Sequence, residues 1–260
     1  MLLHYPGSKF RASRDILSLA GDYSEWRDCF AGGASILWRV PRDKRRWIND
    51  LDSDVVRFHK SMRDDPEFIE KLDTLCEWAR SASEAAIRRE WERRKWIWRD
   101  TGCPVCMAFC RMFVVGGILL RQRANIASFN ASFNNLKSKT RARMDQAREV
   151  MQGVQISEGQ YYDLLDAPGD GVCCFLDPGY FFEDHYSPYY SIRFGKSHFE
   201  ELADRLYSCS HHFVMTVNIC GLTMRLFERS NRFKVYRRRY YYTLFKSRRR
   251  HAWEYIILPN

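Results

Sequence analysis

Asp177-Pro178-Gly179-Tyr180 brings a carboxylate, a stiff turn and an aromatic ring together directly after the apolar run Val172-Cys173-Cys174-Phe175-Leu176. The run predicts a short strand. Asp-Pro-Gly predicts a sharp turn that presents Asp177 and Tyr180 at the strand's carboxyl edge, where ligands of open α/β sheets bind. A carboxylate beside the Pro178 carbonyl can accept hydrogen bonds from an exocyclic amine, and the ring can stack on a planar base. These residues suit chemistry on a nucleobase amine. Asp-Pro-Gly is equally an ordinary turn, so the reading depends on what surrounds it.

Upstream, Asp28-Cys29-Phe30-Ala31-Gly32-Gly33-Ala34-Ser35 leads into Ser35-Ile36-Leu37-Trp38 and reads as strand, Gly-rich turn and helix. The glycines let backbone approach a ligand closely, and a helix N-terminus there would offer its positive dipole end to an anion. Arg46-Trp47-Ile48-Asn49-Asp50 follows and ends a second predicted strand on an acid. At that position in nucleoside-binding folds an acid takes ribose hydroxyls. Asp50 serves equally as a cap for the next helix, with Asp52 and Asp54 as rivals. Tyr5-Pro6-Gly7-Ser8-Lys9, near the start, is by itself a plain turn.

In this order and spacing the four pieces resemble the Dam-type (D12 class) family of DNA adenine-N6 methyltransferases. Tyr5 to Lys9 match the family's aromatic-x-Gly-Gly-Lys opening with Ser8 for the second Gly, and Cys29 to Ala34 match its Pro-Phe-x-Gly-x-Gly loop with Cys29 for Pro and Ala34 for the last Gly. Asn49-Asp50 fits the ribose-binding acid, and Asp177 to Tyr180 fit the Asp-Pro-Pro-Tyr box with Gly179 for the second Pro. The match continues through Phe194, His198 to Ala203, Arg237 to Arg239 and Glu254 to Asn260.

The resemblance implies a Rossmann-like α/β fold with a mostly parallel sheet, a terminal antiparallel hairpin and a helical insertion. It implies S-adenosylmethionine as cofactor, held by Tyr5, Lys9, Asp50, Asp177 and the backbone of Phe30, Ala31, Gly32 and Gly33. Asp177, Pro178 and Tyr180 become the catalytic residues, acting on the N6 amine of adenine flipped out of double-stranded DNA at a specific site. Two other readings share these residues: a DNA-binding regulator that methylates poorly, and an enzyme acting on RNA adenine. A cytosine-N4 methyltransferase fits less well, because those more often resemble a Ser-Pro-Pro-Tyr box.

The pattern divides the chain into a catalytic domain at 1–58 and 152–260 and a helix-rich insertion at 59–151. Strands and helices alternate in the first, ending in a hairpin from Phe233 to Tyr242 that returns through Ala252 to Leu258. In the family the insertion is the target-recognition domain. Arg121, Arg123, Lys137, Lys139, Arg141 and Arg143 surround an Asn-rich stretch and are expected to contact DNA, because they are almost free of acids until Asp145. The run from Arg88 to Lys95 reads instead as a solvated helix face with Glu/Arg pairs. Arg248-Arg249-Arg250, with Lys246, falls near the hairpin tip and suits phosphate.

With 260 residues, 45% of them hydrophobic, the chain can bury a sizeable core. A net charge of +10 points to a polyanionic partner. No run of 18 or more apolar residues and no leader pattern is visible, so a cytoplasmic protein without a membrane partner is expected. The nine cysteines are an odd number and read as reduced thiols. Cys103, Cys106 and Cys110 form C-x2-C-x3-C but lack a completing ligand pair, so no metal is expected and a buried helix is the better reading.

Overall fold

A computed structural model describes residues 3, 5–114, 119, 129–130, 136, 139–182, 194–245 and 248–260, with backbone alone at 241–245 and 248–251. The chain forms two compact units: Lys9–Leu51 with Gly153–Asn260, and Met1–Ser8 with Asp52–Gln152. Residues 1–8 and the helix that starts at 53 thus group with the insertion.

The first unit is built on a sheet of seven strands in the order β3-β2-β1-β4-β5-β7-β6. These are β1 Glu25–Asp28, β2 Arg45–Asp50, β3 Val154–Glu158, β4 Val172–Leu176, β5 His212–Asn218, β6 Phe233–Phe245 and β7 Arg248–Pro259. β1 to β5 pair in parallel, while β7 runs antiparallel to β5 and forms a hairpin with β6. This is the Rossmann-like, mostly parallel sheet with a terminal antiparallel pair that the sequence implied. All five residues of β4 are buried, as expected for a central strand covered on both faces. Chain order reverses between β1 and β4, so the switch point that opens a ligand crevice falls beside the Gly-rich loop and the Asp177 turn.

β1 does not owe its place to apolar residues alone. Arg27 is 1% exposed, pairs with Glu25 at 2.6 Å and donates to the carbonyls of Leu164, Ala167 and Pro168. Those bonds satisfy the buried guanidinium and tie the loop after α7 (Tyr161–Leu165) to the sheet. α1 (Ser13–Ser18) buries Ile16, and α8 (Lys196–Ser208) buries Phe199, Leu202, Ala203 and Leu206 in the sheet's core.

The helix expected after the glycine loop is reduced to turns and a single 3-10 segment, Leu37–Arg39. Two local causes account for this. Ala34 takes φ +48°, a left-handed conformation that breaks a right-handed helix. Val40 is extended, as a residue preceding proline prefers.

The second unit contains α2 Ser53–Asp64, α3 Pro66–Ser81, α4 Glu84–Thr101, α5 Pro104–Arg111 and α6 Arg141–Met151. Asp52, Asp65 and Ser83 cap the first three through their side chains. Asp52 is therefore the cap of α2, and the Asp54 carboxylate accepts from Trp98 Nε1 at 3.1 Å. On α4, Glu90 pairs with Arg93 and Arg94, and Glu92 with Lys95. Trp91 and Trp98 are buried on the same helix, so a paired helix face over a tryptophan-rich interior describes the 88–95 run. Among the described residues no helix is long and apolar enough to cross a membrane.

Candidate active site

β4 delivers Asp177 to the sheet edge, and residues far away in sequence fix it there. Lys9 Nζ lies 2.8 Å from Asp177 Oδ1 and 3.0 Å from Oδ2. Thr216 of β5 donates to Oδ1 at 2.7 Å. Burial raises the Asp177 pKa above the usual carboxylate range, and the Glu254 charge adds to this; the Lys9 ammonium and the Thr216 hydroxyl pull it back. The carboxylate keeps 18% of its side chain exposed.

Tyr180 stands next to this pair, with Lys9 Nζ 5.8 Å from its ring centroid and its hydroxyl donating to Glu254 Oε1. Glu254 is fully buried and also lies 3.6 Å from Lys9 Nζ. The register places Asn218, the last residue of β5, opposite Glu254 of β7. Asn218 then clamps the chain after the box, accepting from Phe181 N at 3.0 Å and donating to Phe181 O at 2.8 Å. The Phe182 ring sits 6.3 Å from that of Tyr180, whereas Phe181 packs away against Phe199.

The glycine loop is pinned to the end of β2. Ala31 N donates to Asn49 O at 2.8 Å, and Gly32 N donates to Asp50 Oδ2 at 2.7 Å. Gly32 adopts φ +46°, a conformation that glycine adopts without strain. Lys9 N donates to Ser35 Oγ at 3.1 Å, which joins the chain start to the same loop. Phe30 stacks on Tyr161 and meets Phe194 edge-on, and Phe194 in turn packs on Phe199. An aromatic row thereby links this loop to the box.

Asp28 ends β1 and is 2% exposed, with Oδ1 lacking a hydrogen-bond partner. Burial pushes its pKa well above the carboxylate range, and the Asp177 and Asp50 charges push it further. Three acids, Asp28, Asp50 and Asp177, therefore lie near one another beside the glycine loop, and the buried Asp28 Oδ1 has no hydrogen-bond partner. S-adenosylmethionine, whose sulfonium and ammonium groups outnumber its one carboxylate, is a cationic ligand suited to such an acidic edge, so the residues present fit the implied cofactor. Asp50 with Phe30, Ala31, Gly32 and Gly33 would line its nucleoside and methionine portions.

The remaining expected residues are distributed differently. Tyr5 belongs to the helical unit, where the Arg111 guanidinium lies 5.1 Å from its ring centroid. Arg121, Arg123 and Lys137 lie outside the described residues. Arg141 and Arg143 are exposed on α6, Arg141 paired with Asp145 at 3.0 Å. Lys139 departs from the expected DNA-facing set: it is 3% exposed, and burial lowers its pKa to about 8. A side chain enclosed in this way cannot reach a phosphate. Arg237 and Arg238 of β6 also carry acidic partners, Glu228 and Asp15. Among the described residues no group of three or more His, Cys, Asp or Glu could hold a metal ion.

Asp28, Thr216, Asn218 and Glu254 are the site residues that sequence reasoning did not single out. Asp28 had a detectable signal, an acid at the end of a predicted strand directly before a glycine turn. Glu254 had a fainter one, a lone acid opening the apolar run Tyr255-Ile256-Ile257-Leu258.

A Rossmann-like sheet with an acid, a glycine loop and an Asp-Pro-Gly-Tyr turn at its switch point defines an S-adenosylmethionine-dependent methyltransferase. Residues 5–251 match the D12 class N6 adenine-specific DNA methyltransferase family, and the chain belongs to it. It is thus a DNA adenine methyltransferase by family, with DNA as the implied substrate. No curated protein matches the chain. Among solved structures it is similar to a precorrin-6y C5,15-methyltransferase from Geobacter metallireducens, at 12% identity over 96% of this chain and 87% of that one, with a TM-score of 0.42. A precorrin 8w decarboxylase from Methanobacterium thermoautotrophicum shows 10% identity over 96% of this chain and 89% of that one, with a TM-score of 0.37. Likenesses this distant carry no weight in the reading of the site.

Proposed function

We propose that the protein methylates the N6 amine of an adenine turned out of duplex DNA, at a specific sequence, and that Asp177, Pro178 and Tyr180 hold the extruded base. The observation that supports this most directly is the fixed Asp177 carboxylate, held by Lys9 and Thr216 beside the Tyr180 ring. Bound S-adenosylmethionine supplies an electrophilic methyl group. Asp177 and the Pro178 carbonyl accept the two amine hydrogens, which draws lone-pair density toward the nitrogen. Tyr180 stacks on the ring, worth about 1–3 kcal/mol per base, against a flipping cost of a few kcal/mol. Glu254, bonded to the Tyr180 hydroxyl and close to Lys9, positions both. A carboxylate with a raised pKa also takes up a proton more readily than an ordinary one, so Asp177 or water receives the proton that nitrogen sheds.

The helical unit is assigned to target recognition, with Arg121, Arg123, Lys137, Arg141 and Arg143 on phosphates or base edges. Lys9, Asp50, Asp28 and the Phe30 to Gly33 backbone are assigned to the cofactor, with Tyr5 as a further contact. The test is to incubate the protein with radiolabelled S-adenosylmethionine and unmethylated duplex DNA or RNA, then identify the labelled base. Label as N6-methyladenine in DNA supports the reading. Label only in RNA, or salt-sensitive DNA binding without any label, rejects it.

Two substitutions probe the site's energetics. Asp28→Asn is expected to stabilise the protein and weaken cofactor binding. An acid whose folded pKa is raised contributes stability that is complete below its unfolded value and is lost as pH rises through the folded value. The variant's melting temperature should therefore match wild type in acid and exceed it increasingly toward alkaline pH. Its affinity for S-adenosylmethionine, read by calorimetry, should fall about tenfold, the scale of one charge-assisted hydrogen bond. Gly179→Pro restores the second ring of the box. Gly179 is not among the described residues with positive φ, and the substitution should raise kcat/KM about two- to five-fold, equivalent to the 0.4–1 kcal/mol of ordering that proline removes.

A further inference from the structure

Cys103-Pro104-Val105-Cys106 belongs to the helical unit and plays no part in the methyl-transfer chemistry described above. Cys103 is the N-cap of α5, with Pro104 in the first helical position. Residues three apart on a first turn stand one above the other, and a disulfide needs Cα atoms about 4.4–6.8 Å apart. Cys103 is partly exposed, whereas Cys106 is buried.

The surroundings of the two thiols differ from those of the other cysteines. Cys103 begins the helix without a side-chain cap bond, and Cys106 with the Val105 and Cys106 amides acts on its thiol electrostatically. Arg94 Nη1 reaches Cys106 Sγ at 3.6 Å, and Lys71 and Arg93 add positive charge nearby. The influence of Cys106, helped by the amides and Arg94, outweighs burial and lowers the Cys103 pKa to about 6. Cys106 moves the opposite way, because it keeps the proton it shares with Cys103 and is buried. Cys110, one turn further along α5, is only a core thiol: its Sγ lies 3.6 Å from Trp91 O, and burial raises its pKa. Cys76 and Cys209 are likewise raised by burial, to about 12 and about 11.

We propose that Cys103 and Cys106 form a redox-active dithiol that exchanges with small-molecule disulfides. The Cys103 thiolate attacks one sulfur of the disulfide, forming a mixed disulfide and expelling one thiolate. Capping removes the influence of Cys103, which with burial keeps the Cys106 proton in place, and leaves Arg94 to favour the Cys106 thiolate against burial alone. Cys106 then loses its proton to solvent and attacks the Cys103 sulfur. The second half of the reagent leaves as a thiolate, and the protein holds a Cys103–Cys106 disulfide. Two protein thiols are oxidised and one reagent disulfide is reduced to two thiols.

The test uses the full chain and oxidised glutathione. Peptide mass analysis after exposure should show Cys103 and Cys106 joined, with both thiols restored by dithiothreitol. Cys106→Ser should instead trap a glutathione adduct on Cys103, and Cys103→Ser should give neither product. Wild-type protein provides a check that needs no variant. Near pH 5 iodoacetamide should alkylate Cys103 about 20-fold faster than free glutathione, the net of its larger thiolate fraction and its lower intrinsic nucleophilicity. A persistent glutathione adduct on wild-type Cys103 overturns the proposal. So does alkylation that favours Cys209 or Cys220, or that is no faster at Cys103 than at glutathione.

Discussion

Asp177→Ala is expected to lower methyl transfer by about 10³-fold or more while salt-dependent DNA binding stays close to wild type. Losing one positioned group that stabilises developing charge typically costs 10²–10³ in kcat, and in the proposed function Asp177 would also orient the amine, a separate contribution. Binding should survive because the exposed basic residues of α6 are remote in sequence from the box and do not depend on this carboxylate. Single-turnover assays at saturating cofactor, paired with binding at two salt concentrations, separate these effects. Near-normal turnover would remove Asp177 from the chemistry. A collapse of binding as well as turnover would show the substitution acting through the fold.

Lys9→Met should cost about 3–5 kcal/mol of stability near neutral pH, the usual penalty for leaving a buried charge without its partner. Two carboxylates share this ammonium, Asp177 at 2.8 Å and Glu254 at 3.6 Å. The pH dependence identifies the cause. Asp177 already has a raised pKa in the folded protein, so its contribution is complete below the unfolded value and declines as pH rises through the folded one. Removing Lys9 deletes the largest influence opposing that rise, so the variant's deficit should widen as pH rises from the ordinary carboxylate range toward the raised folded value. At about 2–4 °C per kcal/mol for a chain of this size, the melting-temperature gap near neutral pH is about 10 °C. A gap of constant size over the whole range would mean that Lys9 acts through packing alone.

Much of this arrangement was legible because local patterns carry it. The apolar run of β4 followed by Asp-Pro-Gly marks both a strand and its edge, and the alternation of elements on either side of the helical insertion implies the parallel sheet. Asp52 is the α2 cap, a choice that spacing alone left open, and Asp50 instead accepts from Gly32 N of the glycine loop. The shortened helix after the glycine loop was not legible, because Ala34 offers no outward sign that it takes a left-handed φ. Lys139 misled for a different reason: it sits in a basic stretch, yet tertiary packing encloses it, with its carbonyl bonded to Arg80. The meeting of Glu254 with Lys9 was hidden by distance, since it depends on the pairing of β5 with β7 and on Lys9 reaching the β4 edge.

The antiparallel pairing of Asn218 with Glu254 makes competence for methylation a property of long-range assembly. Residues 9, 28, 50, 177, 216, 218 and 254 meet only after separations of up to about the whole chain have closed, and such closures are slow to form. Partial opening of the terminal hairpin would release Tyr180 and Lys9 from Glu254 while the parallel strands stay folded. During gradual heating, catalytic output should then fade ahead of bulk unfolding, so turnover would report on the integrity of the last two strands.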